Sequence, residues 1–73
     1  MKKLKEQTVV KLRELKQGNY FTLKEIQYPT MSQVWVKDYY DRSERKFWCH
    51  RYDDVNEGRF VSGDTIVYVD FIF

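Results

Sequence analysis

The second half of this chain reads as a series of β-strands and finishes in a segment that is apolar on both faces. Residues 33–73 alternate apolar and polar side chains between polar turns. In residues 65–73 (TIVYVDFIF) the alternation places Val67, Val69, Phe71 and Phe73 on one face, and Ile66, Tyr68 and Ile72 on the other. Such a strand must be covered on both sides. We therefore expect it to close a small sheet structure, with its second face covered by the N-terminal arm or used as an interface.

The composition limits the protein to one small domain. With 73 residues, it buries only about 60% of the surface that its unfolded chain exposes. Aromatic residues make up 18% of the chain and are expected to supply core volume. Cys49 is the only cysteine and His50 the only histidine, so we expect no intrachain disulfide, no metal cluster and no cofactor.

No targeting or membrane segment is evident in the sequence. The basic start, MKKLKEQTVVKL, lacks the apolar run and the small-residue cleavage site of a signal peptide. No stretch approaches the roughly 20 apolar residues that span a bilayer. A cytoplasmic location without membrane association is therefore expected.

The charge is distributed unevenly. Residues 1–17 carry six Lys or Arg against two Glu, a balance of +4, whereas residues 18–73 balance to −2. We expect residues 1–7 to be a flexible basic arm and residues 8–73 to be the folded domain. The mildly acidic body is poorly suited to a phosphate backbone.

The periodicity predicts a mainly β fold, a small antiparallel barrel of five or six strands with one short N-terminal helix or helical turn. The expected strands cover residues 8–12, 20–26, 33–40, 45–52, 59–61 and 65–73. A helical turn over residues 12–17 would end at Gly18. The alternative is one amphipathic helix over residues 4–16. Polar loops are expected at residues 27–32, 41–44 and 53–58.

No arrangement of residues indicates catalysis. Cys49 and His50 are adjacent in a strand, so they point to opposite faces and cannot form a dyad. Asp54 begins a segment like a calcium loop, but the twelfth position holds Thr65 instead of the required glutamate. Glycines occur singly, so there is no phosphate-binding loop. We expect a protein that is not an enzyme and find no indication of a small-molecule substrate.

The predicted hairpin over residues 33–52 has an aromatic outer face. With Val34, Val36, Phe47 and Cys49 inward, the outer face carries Trp35, Trp48, His50 and Tyr52. These four residues and Tyr68 are the candidate binding residues, and Lys37, Lys46 or Arg51 could frame them. Trp and Tyr anchor protein interfaces, and aromatic residues beside cations also stack single-stranded nucleic acid. A third alternative is that other segments cover this face.

Several short motifs resemble a group of short, uncharacterised bacterial proteins with an SH3-like barrel. The motifs are LKQGNYFTL at residues 15–23, YDR at 40–42, Cys49, DDVN at 53–56, GD at 63–64 and VYVDF at 67–71. The resemblance covers roughly residues 8–73. It implies a single compact β-barrel and supplies no known activity and no functional residues.

The sequence therefore favours a non-catalytic interaction module that binds a protein partner or itself. The apolar last strand, the outer aromatic face and the acidic body motivate this prediction. The alternative is a small nucleic-acid-binding barrel that uses the aromatic face and the basic N-terminal arm.

Overall fold

A computed structural model of the protein describes residues 7–73. This part of the chain contains strands β1 Val9–Lys11, β2 Tyr20–Phe21, β3 Trp35–Asp41, β4 Lys46–Arg51, β5 Asp54–Val61 and β6 Ile66–Tyr68. Single 3-10 turns cover Leu12–Glu14 and Met31–Gln33. The mainly β class, the antiparallel pairing and a short helical turn after the first strand are confirmed. The basic arm predicted for residues 1–7 lies, apart from Gln7, outside the described residues.

The strands form two antiparallel sheets. One contains β2, β3, β4 and β5 in that order, and the other pairs β1 with β6. A single bridge links the sheets: the Thr22 N–H donates to the Tyr68 carbonyl at 2.9 Å, and the Tyr68 N–H donates to the Thr22 carbonyl at 3.0 Å. The combined order therefore runs from β1 through β6, β2, β3 and β4 to β5. Within residues 7–73 the edges β1 and β5 do not pair, so the barrel is not closed.

The core lies against the inner face of the four-stranded sheet. Residues directly opposite on paired strands share a face, and Phe21 lies opposite Trp35. The 3-10 turn adds Leu12, whose N–H donates to the Thr65 carbonyl at 3.0 Å. The buried cluster consists of Leu12, Phe21, Trp35, Cys49, Val61 and Val67. Burying each large apolar side chain of this cluster stabilises the fold by about 1.5–3 kcal/mol.

The alternative helix over residues 4–16 is wrong for the described part of that range. Val9–Lys11 is a strand, and the following 3-10 turn ends at Leu15, which is extended. The β-branched Val9 and Val10 favour a strand because their side chains are restricted in a helix. The helical turn predicted over residues 12–17 covers only Leu12–Glu14, so its predicted end at Gly18 is wrong. Gly18 nevertheless adopts φ +92°, a conformation that favours glycine.

Two predicted boundaries near the end of the chain are also wrong. Residues 54–58, predicted as loop, belong to β5. His50 pairs with Gly58 and the next residue, Arg51, pairs with Asp54, so residues 55–57 of β5 have no partner in β4 and are exposed. The last strand is only Ile66–Tyr68, because the chain turns after it and the Ile72 N–H donates to the Gln27 carbonyl at 2.9 Å. Val67 is buried as predicted, but Phe73 is 50% exposed instead of facing the core.

None of the helical segments in residues 7–73 is long and apolar enough to cross a bilayer.

Candidate binding surface

The outer face of the four-stranded sheet carries a row of side chains from different strands. Val36 of β3 lies between Tyr20 of β2 and His50 of β4, so the three side chains share a face. Trp48 precedes His50 by two positions and points the same way. It lies opposite Phe60 of β5, and their ring centroids are 5.0 Å apart with planes at 65°. This edge-to-face contact fixes the orientation of the indole.

Three rings form a cluster at one end of this face. The Tyr20 and Tyr52 centroids are 5.3 Å apart, and the Phe73 centroid is 4.8 Å from Tyr52 and 6.1 Å from Tyr20. All three contacts are edge-to-face. The rings nevertheless remain exposed: 45% for Tyr20, 39% for Tyr52 and 50% for Phe73. The cluster is therefore packed within itself while much of its area faces solvent.

We refer to this outer face as the aromatic surface. Its members are Tyr20, Val36, Trp48, His50, Tyr52, Phe60 and Phe73. Three of the five predicted binding residues, Trp48, His50 and Tyr52, belong to it. Sequence reasoning missed Tyr20, Phe60 and Phe73, and its prediction that Val36 faces inward is wrong, because Val36 lies opposite His50. The alternating pattern around Tyr20 was a usable signal, because it placed Phe21 on the opposite face.

A polar group borders the aromatic surface at His50. Nδ1 of His50 lies 3.4 Å from Oδ2 of Asp38, and the other carboxylate oxygen accepts a hydrogen bond from Nε2 of Gln17 at 3.3 Å. Both members of the histidine–carboxylate pair are partly buried. The carboxylate orients the imidazole, so the aromatic surface has one fixed polar contact beside its rings.

Trp35 does not lie on the aromatic surface, contrary to the prediction. It is 8% exposed and belongs to the core. Close to the turn that joins β3 and β4, Tyr40 pairs with Phe47. If this register continued along the strands, Trp35 would pair with Tyr52 and lie on the outer face. An irregularity between Lys37 and Tyr40 changes the register, and Trp35 pairs with Arg51 instead. One extra residue in β3 moves it to the inner face, because side chains alternate along a strand.

Tyr68 is also separate from the aromatic surface. It lies in β6, opposite Val9, and its backbone pairs with Thr22. Its side chain is partly buried, whereas Val9 and Ile66 on the same face of the two-stranded sheet are about half exposed. The structure therefore divides the predicted binding residues among the outer face, the core and a second sheet.

Two of the three cations expected to frame the outer face point away from it. Lys37 is 4% exposed on the inner face; its Nζ donates to the Leu15 carbonyl and lies 4.1 Å from the Phe47 centroid. Arg51 stacks on Trp35 at 5.6 Å, also on the inner side. Only Lys46, exposed at the end of β4, remains near the aromatic surface.

The buried thiol lies beside the buried lysine. Lys37 is directly opposite Cys49, which is fully buried and free. Burial raises the pKa of the Cys49 thiol to about 11, and the neighbouring Lys37 ammonium only partly offsets this effect. Burial also lowers the pKa of Lys37 from 10.5. A thiol of this kind is a weak nucleophile at neutral pH.

The polar segment after β4 forms local hydrogen bonds. Oδ1 of Asp54 accepts a hydrogen bond from the Asn56 N–H at 3.0 Å, as in an Asx-turn. Within residues 7–73, no group of three or more His, Cys, Asp or Glu side chains is arranged to hold a metal ion.

Comparison with known proteins gave no relative: no family model, no curated protein and no solved structure matches this chain.

Proposed function

We propose that this protein is a non-catalytic interaction module that binds a protein partner or a second copy of itself through the aromatic surface. The observation that carries the proposal is the Tyr20, Tyr52 and Phe73 cluster, whose rings are packed edge-to-face yet remain 39–50% exposed. Tyrosine and tryptophan are enriched among residues that dominate binding energy at protein interfaces.

The packing within the cluster favours binding. The ring contact holds Tyr20 and Tyr52 against each other before a partner arrives. Strand pairing also fixes the backbone of Tyr20, and the Tyr52 N–H donates to the Val34 carbonyl at 2.9 Å. An ordered side chain loses less conformational entropy on association, and this loss otherwise costs about 0.5–1.5 kcal/mol per flexible side chain. The His50 and Asp38 pair adds a directional polar contact at the border.

The distribution of charge favours a protein partner over nucleic acid. Affinity for nucleic acid comes largely from neutralising phosphates with Lys and Arg. Lys37 and Arg51 face the inner side of the sheet, and Asp38 adds negative charge at the border of the aromatic surface. The nucleic-acid alternative therefore depends on the basic arm, which lies almost entirely outside the described residues.

The proposal includes three finer expectations. The strand order from β1 through β6 and β2 to β5 supports an SH3-like arrangement. The single free thiol of Cys49 agrees with a cytoplasmic location. The bacterial origin rests on the resemblance of the short motifs alone.

Sedimentation velocity of the fluorescently labelled protein tests this function. In buffer at rising concentration, or in an extract of its source cells, we expect a species larger than the 9.0 kDa monomer. Tyr52→Ser should return the label to the monomer position. Tyr39→Ser is the matched control, because Tyr39 is 49% exposed and does not belong to the aromatic surface, and it should leave the large species unchanged.

Two outcomes would contradict the proposal. One is a label that sediments as a monomer under every condition. The other is a large species that disappears after nuclease treatment, which would support the nucleic-acid alternative instead.

A further inference from the structure

Within the described part of the chain, residues 7–73, the outer edge of β5 is open. β5 is the last strand of the four-stranded sheet, and no backbone hydrogen bond among residues 7–73 joins its outer side to another segment. Regular pairing with β4 covers residues 58–61, beyond the register shift. In an antiparallel edge strand, alternate residues direct their N–H and C=O groups outward. These four residues therefore offer a short template for another strand.

A cleft lies along this edge. It has a volume of about 290 Å³ and is lined by Leu23, Arg59, Phe60, Val61, Ser62 and Thr65. Successive strand residues point to opposite faces, so a cleft that contacts three of them in a row follows the edge of the strand. A second cleft of about 220 Å³ shares Leu23 and Arg59 and extends to Ile26 and Trp35.

The two clefts are cationic as well as apolar. Arg59 stacks on the Trp35 ring at 5.7 Å, and no carboxylate of the described residues forms an ion pair with it. Arg51, which also lies over this ring, is already paired with Glu57 at 3.3 Å. Lys24 also lines the second cleft, and neither lining includes an Asp or Glu. The charge is complementary to a carboxylate.

We propose that this edge binds an extended peptide segment that carries a glutamate or aspartate. The peptide backbone pairs with residues 58–61 of β5, as in recognition by strand addition. An apolar side chain of the peptide enters the cleft beside Leu23. The carboxylate binds Arg59, with Lys24 nearby, in a charge-assisted hydrogen bond. This site goes beyond the aromatic surface and shares only Phe60 with it.

The test uses a blocked pentapeptide with a central glutamate, a threonine on each side of it and a valine at each end, so that the glutamate and the valines share one face of the extended peptide. Binding is followed by amide NMR shifts and hydrogen exchange of the full chain. We expect saturable binding with a Kd of about 1 mM or tighter. Alternate amides among residues 58–61 should gain protection from exchange.

Variants separate this site from the rest of the protein. Arg59→Gln should weaken peptide binding about tenfold or more, because it removes the charge and keeps most of the side chain. Lys46→Gln is the control for a general loss of charge, and Tyr52→Ser is the control for the aromatic surface. Both should leave the peptide affinity unchanged, so this proposal and the proposed function can fail separately.

Any of four results would overturn the inference. The first is the absence of saturable binding. The second is equal binding of a peptide with lysine in place of glutamate. The third is equal binding of a peptide with prolines in place of both threonines, which would exclude backbone pairing. The fourth is equally strong binding of a ten-nucleotide thymidine oligomer at the same residues, which would identify a phosphate site.

Discussion

The indole of Trp48 lies against the backbone of Gly58. A Cβ atom on Gly58 would stand 2.3 Å from Cζ2 of Trp48 and 2.8 Å from the carbonyl oxygen of Cys49. Only glycine leaves room for the ring at this position. This close approach to Gly58 and the contact with the Phe60 ring position Trp48 on β5, so they determine the shape of one half of the aromatic surface.

Gly58→Ala should therefore destabilise the fold by about 1–3 kcal/mol, the usual cost of overpacking. Urea denaturation measures the effect. The matched comparison is the same substitution in a Trp48→Leu background, where the ring is absent and the cost should fall. An equal cost in both backgrounds would show that the indole contact is not its cause.

Lys37 stabilises the turn after β1 from inside the protein. Its Nζ donates to the Leu15 carbonyl and lies 3.5 Å from the Arg13 carbonyl. Lys37→Met keeps the length of the side chain and leaves these partly buried carbonyl oxygens without their donor. We expect a loss of about 1–2 kcal/mol at pH 7 in urea denaturation. Lys46→Met, at an exposed position of the paired strand, should change stability by less than about 0.5 kcal/mol.

Lys37→Met would stabilise the protein if desolvation of the ammonium group dominated. Buried charges are costly, and replacing them with apolar groups sometimes stabilises a protein. A Lys37→Met protein more stable than the wild type would show that the desolvation cost exceeds the contribution of the hydrogen bonds and the Phe47 contact.

Cys49 should make the protein less stable in alkaline solution. Its pKa is about 11 when folded and 9.0 ordinarily, so between these values the folded state keeps a proton that the unfolded state loses. Stability therefore falls as pH rises through this window, on the order of 2 kcal/mol by pH 11. The lowered pKa of Lys37 has the opposite effect on the pH dependence of stability. Just below pH 10.5 the folded protein binds fewer protons at this group than the unfolded chain does, so this contribution to stability rises with pH.

The thiol contribution can be isolated with Cys49→Ala. Denaturation at pH 8, 9 and 10 should show a steeper loss of stability for the wild type than for this variant, because both retain Lys37. Parallel pH profiles would mean that the Cys49 thiol ionises as readily in the folded protein as in the unfolded chain.

The sequence predicted the mainly β class and most strand positions, because alternation and turn residues are local signals. It also identified the outward direction of Trp48 and His50 along β4. The position of Trp35 required the pairing between strands, and an extra residue between Lys37 and Tyr40 reverses it. No local pattern around KDYY marks that irregularity.

The cluster of Tyr20, Tyr52 and Phe73 could not be predicted from the sequence for a different reason. Tyr20, Tyr52 and Phe73 lie far apart in the sequence and meet only because the chain turns after β6. The apolar alternation of residues 65–73 indicated a straight strand with Phe73 inward. The backbone hydrogen bond from Ile72 to Gln27 instead directs Phe73 to the outer side.

The most direct test of the central claim is site-specific photo-crosslinking in the source cells. A benzophenone amino acid replaces Tyr20 in one protein and Tyr39, of similar exposure, in another. We predict that the probe at Tyr20 captures one defined protein, either a partner or a second copy of the chain, and that the probe at Tyr39 does not. Equal capture from both positions, or none from Tyr20, would contradict a binding role for the aromatic surface.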